Sequence, residues 1–110
     1  MTETGTHPTG SIDDLVHQRH RLGILVVASE ADRVEFGFLR ETLGLTAGNL
    51  SRHIGALEDA GLVIVEKGYQ GRRPRTWVRL SRAGRRALTA EIAALRALVE
   101  RFEPAEPTEN

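Results

Sequence analysis

Residues 42–57 read Thr-Leu-Gly-Leu-Thr-Ala-Gly-Asn-Leu-Ser-Arg-His-Ile-Gly-Ala-Leu. Gly44 is a good helix terminator, and Thr46, two residues on, is a good N-cap. From there Leu50, Ile54 and Leu57 recur at i, i+4 and i+7. That spacing lays one apolar stripe along a helix. The stretch therefore predicts one helix ending near Gly44, a tight Gly44-Leu45 turn, and a second helix over 47–60 that buries the stripe. Gly61 stops it. Advancing about 100° per residue from Leu50 carries Gly48, Arg52 and Gly55 to the opposite side. Asn49 and Ala56 lie beside them, and Ser51 and His53 fall on the flanks.

Upstream, Phe36, Leu39 and Leu43 share one face of the helix that ends at Gly44, and a short extended piece around 34–36 leads into it. Before that, Ile12, Leu15, Arg19, Leu22 and Val26 recur at helical spacing. Ser11 can cap this first helix, Asp13 and Asp14 suit its first turn, and it is expected to run to about Ser29. Downstream, residues 62–67 and 76–80 are strand-like. The loop between them, Gly68 to Arg75, holds two glycines and a proline, which makes a hairpin. Ser81 caps a last helix from about Arg82 to Arg101. Residues 1–10 read as a Thr-, Gly- and Pro-rich tail and 103–110 as an acidic tail, leaving one domain over 11–102. The order is helix, short strand, helix, helix, strand, strand, helix. That is an α+β, mainly α, winged helix-turn-helix.

Composition narrows the function. The 110 residues include no cysteine, which excludes disulfides and thiolate metal sites. The longest apolar run, Ile24 to Ala28, is far short of a membrane span, and the expected location is the cytoplasm. Formal charge is zero, yet residues 49–86 hold nine basic side chains against three acidic ones. A neutral total thus hides a basic region, and local charge is what an anionic partner meets. Arg72, Arg73 and Arg75 crowd a loop braced by Gly68, Gly71 and Pro74. Three like charges at a tip repel one another, and their cost is understandable if the tip meets nucleic acid.

The outward face of the 47–60 helix is small, polar and basic. Small residues permit close approach to a major groove, and Arg52 and Asn49 can bond base edges bidentately. Gly48 belongs with them, while Thr46, Ser51 and His53 suit phosphate contacts, helped by the helix N-terminus. Asp13, His17 and His20 fall at i, i+4 and i+7 and could in principle hold a metal, though exposed helix faces commonly look like this. No metal, cofactor or catalytic constellation is expected. The last helix carries Leu88, Ile92, Leu95, Val99 and Phe102 at heptad spacing, widened by Ala94 and Leu98. The simplest partner for such a seam is a second copy.

The run Phe38 to Ile54, continued by Leu57-Glu58-Asp59-Ala60-Gly61-Leu62-Val63, resembles small winged-helix transcriptional regulators of the MarR and ArsR groups. The wing Gly71-Arg72-Arg73-Pro74-Arg75-Thr76, Leu80-Ser81 and Gly84-Arg85 extend the resemblance over roughly residues 12–100. It implies homodimers that set two recognition helices in successive major grooves of double-stranded DNA, acting most simply as repressors. Two departures stand out. Without cysteine, the thiolate metal sensing of many ArsR-type proteins is unavailable, and the chain is shorter than typical MarR proteins, whose longer terminal helices build the dimer and ligand pocket. A small-molecule effector therefore finds no support in the sequence. The competing reading is a protein-interaction module whose basic wing meets an acidic partner.

Overall fold

The computed structural model describes Val16 and residues 18–102. Among these residues the elements are α1 (Arg19–Ala28), β1 (Val34–Glu35), α2 (Phe36–Leu43), α3 (Ala47–Asp59), β2 (Val63–Gln70), β3 (Arg73–Leu80) and α4 (Arg82–Arg101). The order is the expected one, a winged helix-turn-helix.

Helices α2 and α3 end alike. Gly44 and Gly61 take φ of 66° and 77°, the left-handed region that a side chain disfavours. Each turns the chain so that two amide groups reach back. The Leu45 N–H donates to Arg40 O (3.0 Å) and the Gly44 N–H to Glu41 O (3.3 Å). The Leu62 N–H donates to Leu57 O (2.9 Å) and the Gly61 N–H to Glu58 O (2.9 Å). Both are Schellman closures, which satisfy carbonyls that a helix end leaves open.

The first helix departs from expectation. It does not run unbroken to Ser29, because Gln18 adopts a ψ of 126° and caps α1 instead. Its Oε1 accepts the N–H groups of His20 (2.9 Å) and Arg21 (3.1 Å). A polar side chain thus takes over the first-turn donors and lets the backbone change direction. Ser11, Ile12, Asp13, Asp14 and Leu15 lie outside the described residues, as do both tails.

The sheet order is β1-β3-β2, antiparallel throughout. Its strands are longer than expected. β2 and β3 pair from Val63↔Leu80 out to Gln70↔Arg73, so residues 68–70 and 73–75 belong to the ladder and only Gly71 and Arg72 turn. Pro74 is tolerated there for a geometric reason. Antiparallel partners alternate between bonded and non-bonded pairs, and with a two-residue turn the bonded pair is Gln70↔Arg73. Pro74 sits in the next, non-bonded pair, and β1 reaches only Trp77 and Val78 on the other side. No ladder bond needs its missing N–H.

One core lies between the inner sheet face and the helices. Ile24, Leu25, Leu39, Leu50, Leu57 and Val78 are fully buried, with Ile54, Val63 and Leu80 around them. On the other sheet face, Arg33 lies 4.0 Å over the Trp77 ring, and Glu66 bridges Arg33 (3.6 Å) and Arg79 (2.8 Å). The Arg79 hydrogen bond holds the Glu66 carboxyl below its ordinary pKa.

The start of α4 is clamped to the end of α3. Ser81 donates its N–H to Leu62 O (3.1 Å) and its hydroxyl to Gly61 O (2.6 Å). The same Oγ accepts the Gly84 N–H (2.9 Å), the expected cap. Gly84 itself is pressed against the Leu62 carbonyl, which a Cβ would strike. In an ordinary helix Gly→Ala stabilises by roughly 0.5–1 kcal/mol. Here Gly84→Ala is expected to destabilise by about 1–3 kcal/mol, the usual cost of forcing atoms into a packed site. A lowered urea midpoint at unchanged slope is the expected readout; a neutral or raised midpoint would mean that α4 shifts freely off Leu62.

Candidate nucleic-acid interface

Helix α3 presents the surface that its sequence implies. Leu50, Ile54 and Leu57 are buried, which turns Gly48, Asn49 and Arg52 outward, all exposed. Thr46 is the N-cap, and its Oγ1 accepts the Asn49 N–H at 3.1 Å. Asn49 Oδ1 in turn accepts from Arg52 Nη2 at 3.1 Å. Hydroxyl, amide and guanidinium therefore stand in one row, three residues apart, along the exposed edge. Ser51 is also exposed and lines a cleft between α3 and the hairpin.

Two glycines on this helix have no internal explanation. A Cβ on Gly48 or Gly55 would meet nothing within 4 Å. Each still weakens the helix by roughly 0.5–1 kcal/mol relative to alanine. No contact within the protein requires their smallness.

The wing turn is sharper than the loop expected from sequence. Gly71 has a φ of 65°, and no described non-glycine residue has a positive φ. Positive φ at the first turn position alone marks a type II′ hairpin, whose twist matches its strands. Arg72 and Arg73 are exposed there. Arg75 is not part of a free tip. It lies in β3, half-buried, with Nε donating to Gln70 Oε1 (3.1 Å) and Nη1 against Glu35 Oε2 (3.4 Å). Glu35 also caps α2 through the Phe38 N–H at 3.2 Å. Arg75 thus braces the wing against the start of α2.

His53 is likewise turned away from the surface expected of it. It is only 6% exposed and faces α1. Arg21 Nε donates to its Nδ1 at 3.2 Å, and the His20 ring lies 5.5 Å away. An Nδ1 that accepts leaves the proton on Nε2, so this is a neutral imidazole. The suggested metal set Asp13, His17 and His20 falls partly outside the described residues, which include neither Asp13 nor His17.

Sequence reading missed two residues of the cleft. Lys67 and Thr76 are cross-strand partners and line it with Ser51 and Gly55. Strand alternation from Val65 would have placed Lys67 on that side.

The apolar seam of α4 divides. Leu88 is buried in the domain's own core and Ile92 packs against it. Leu95 and Leu98 are half-buried, whereas Val99 and Phe102 are 67% and 70% exposed. The first part of the seam serves this fold, and the later part faces outward. No helix among the described residues is long and apolar enough to cross a membrane.

Residues 20–99 match the family model of a winged helix DNA-binding domain. An uncharacterised protein of Methanocaldococcus jannaschii is 32% identical over 83 residues, 76% of this chain and 90% of that one. Among solved structures, a transcriptional regulator homologue from Pyrococcus horikoshii OT3 is similar with a TM-score of 0.76 at 30% identity, over 81% of this chain and 88% of that chain. A MarR-family transcriptional regulator from Rhodococcus sp. RHA1 shares the fold, with a TM-score of 0.66 at 22% identity over 86% of this chain and 69% of that one.

The placement of His53 generates a pH dependence. Burial first, then the charges of Arg21, His20 and Arg52, lower its pKa from the ordinary 6.5. The unfolded chain then binds the proton more readily than the folded one. The stability from this group is complete above the unfolded pKa and is lost as pH falls below it. His53→Gln keeps an acceptor for Arg21 but cannot take the proton. It is expected to flatten the fall in urea midpoint between about pH 7 and 5. An unchanged slope would assign that fall to other groups.

Proposed function

Because the chain belongs to the winged helix DNA-binding domain family, we propose that it is a homodimeric, sequence-specific transcriptional repressor that occludes its site on double-stranded DNA. The observation that carries this reading is the outward face of α3. It is capped, small and polar, and its two glycines serve no contact within the protein. In this reading Gly48 lets α3 settle into the major groove. Arg52 and Asn49, freed from their mutual bond, address base edges: arginine suits the O6/N7 edge of guanine and asparagine the N6/N7 edge of adenine.

Thr46 and the helix N-terminus take a phosphate, as do Ser51 and Lys67 across the cleft. Arg72 and Arg73 reach the flanking backbone or minor groove from the wing turn, with Arg75 and Glu35 holding the hairpin at its angle. Two copies joined through the outer part of the α4 seam would present two α3 helices about 34–36 Å apart, one turn of B-DNA, to a pseudo-palindromic site. The homologous regulators support the DNA partner; the exposed Val99 and Phe102 support the second copy.

Two kinds of arginine are expected to fail differently. Arg52→Ala should cost about 1–3 kcal/mol on the preferred site and relax preference at one base position per half-site. Arg72→Ala with Arg73→Ala should weaken binding to all duplexes alike and reduce the salt slope by about one for each phosphate no longer neutralised. Titrations on preferred and random duplexes at several salt concentrations separate the two. A uniform loss for Arg52→Ala would move base reading elsewhere, and an unchanged slope for the wing pair would take the wing off the DNA.

Gly48→Ala is expected to raise folding stability by roughly 0.5–1 kcal/mol while weakening DNA binding. A variant that gains stability and keeps full affinity would show that this face does not enter a groove.

A further inference from the structure

Tyr69 is the most exposed large apolar side chain among the described residues, at 75%. It stands on β2 near the wing turn, and its cross-strand partner is Pro74, also exposed. Partners directly opposite share a face, and in a non-bonded pair their Cα atoms come within about 4.5 Å. Ring and pyrrolidine therefore stand side by side. Strand propensity accounts for a tyrosine at this position but not for the proline, which strands avoid. The fold buries neither, so the pair adds little to stability, and its reason is to be sought outside the protein.

Alternation along β2 puts Val65, Lys67 and Tyr69 on one face, and Val78, Thr76 and Pro74 oppose them on β3. Val78 is fully buried and Val65 packs on the core. Lys67 and Thr76, one pair farther out, line the cleft with Ser51 and Gly55 of α3. Tyr69 and Pro74 are the next pair, about 6.6 Å beyond Lys67 at strand rise. They thus stand on the α3 side of the wing, between the cleft and the turn that carries Arg72. The hollow around them is lined by Lys67 and Arg75 and by no acidic residue. An apolar plate among cations fits a surface that is apolar and anionic at once, and the sugar–phosphate wall of a duplex is such a surface. The minor groove is about 6 Å wide, too narrow for two strands about 4.8 Å apart with their side chains. Side chains of the turn can enter it, and the flank of the hairpin then meets the groove wall.

We propose that Tyr69, backed by Pro74, is a DNA contact: its ring lies on a deoxyribose at the rim of the minor groove flanking the α3 site, and its hydroxyl donates to the adjoining phosphate. Tyrosine has the form for this, an apolar body with a polar tip. Its hydroxyl is among the groups that bind phosphate oxygens in duplexes. The inference rests on the DNA-binding reading above and adds an uncharged anchor to the wing. Sugars carry no sequence information, so the contact fixes where the wing sits rather than which bases are read. It also releases no counterion, so its share of the affinity persists at salt concentrations that weaken the arginines.

Tyr69 is the only tyrosine in the chain, so 3-fluorotyrosine gives the full-length protein a single fluorine resonance that reports on it alone. In the free protein that resonance should show the shift between light and heavy water of a solvent-exposed ring. Saturating random-sequence duplex at low salt should move it and remove most of that solvent shift. Tyr69→Ala should weaken binding to preferred and random duplexes alike by about tenfold, as when roughly 60 Å² of apolar surface fails to leave water. Its salt slope should be unchanged, because no charge is lost. Tyr69→Phe should lose a smaller part of the affinity and keep the same slope. Exposed as Tyr69 is, neither substitution should move the urea midpoint. A resonance that keeps its solvent shift on bound duplex, or a Tyr69→Ala variant with full affinity, overturns the contact and leaves DNA binding standing. A reduced slope in Tyr69→Ala would make the ring a spacer for the neighbouring cations and overturns the contact too. A resonance already shielded in the free protein would give Tyr69 and Pro74 to a second copy, with the same consequence. Failure of the wild-type protein to bind any duplex at low salt overturns the DNA-binding reading itself, and the contact with it.

Discussion

The Leu62 carbonyl holds three elements at one point. It accepts the Ser81 N–H at the base of the hairpin, and Gly84 of α4 packs directly on it. Leu62 also donates its own N–H to Leu57, closing α3. The exit of α3, the root of the wing and the start of α4 therefore share backbone contacts rather than flexible side-chain ones. Ser81 doubles the joint through its hydroxyl, which donates to Gly61 while accepting from Gly84. Bonds of this kind do not slide; they hold or break. Whatever surface α4 offers is consequently set at a fixed distance and angle from the outward face of α3, and a spacing between two such faces becomes a property of the fold.

Within that frame, stability and access are traded along a single helix. The inner side of α3 buries Leu50, Ile54 and Leu57, each contributing about 1.5–3 kcal/mol by leaving water. The outer side gives up about 0.5–1 kcal/mol at each of Gly48 and Gly55. The inner gain exceeds the outer loss severalfold, so the helix persists despite its two outward glycines. His53 adds a fourth inner contact, to Arg21 of α1. It ties α3 to α1, which packs on α2, α3 and α4 alike.

What could be read from sequence was what is decided locally. A hydroxyl residue immediately before a helical pattern supplies its N-cap, so Thr46 and Ser81 were legible, as were Gly44 and Gly61. The buried stripe of α3 was legible because three residues agree on it. His53 was not, since it lies about 60° from that stripe and its side is chosen by Arg21 and His20, more than thirty residues earlier. Arg75 failed for the same reason. Its neighbours in sequence suggest a tip, but its partner is Glu35, forty residues away. The break at Gln18 was hidden because a periodic apolar pattern continues across it, and a side-chain amide that caps resembles one that merely faces solvent. The first turns of α4 were legible as helix and illegible as a joint, because the pressure on Gly84 comes from Leu62.

The size of the reading surface bears on how many copies a site requires. One α3 offers two side chains suited to base edges, Asn49 and Arg52, each able to contribute about 1–3 kcal/mol of discrimination. If both act as proposed, a single copy would separate right from wrong sequence by about 2–6 kcal/mol. Specific regulators exceed their non-specific binding by about 4–10 kcal/mol. On that reading one domain would reach only the lower part of that range, and the phosphate contacts proposed for Arg72, Arg73 and Lys67 would not raise it, because such contacts strengthen both kinds of binding equally. Doubling the number of α3 helices doubles the discrimination to about 4–12 kcal/mol, and linking them lets the second half bind at the effective concentration set by the first. In the proposed reading a winged helix of this size would gain selectivity by pairing rather than by adding contacts, and the exposed Val99 and Phe102 are the surface which that reading assigns to the pair.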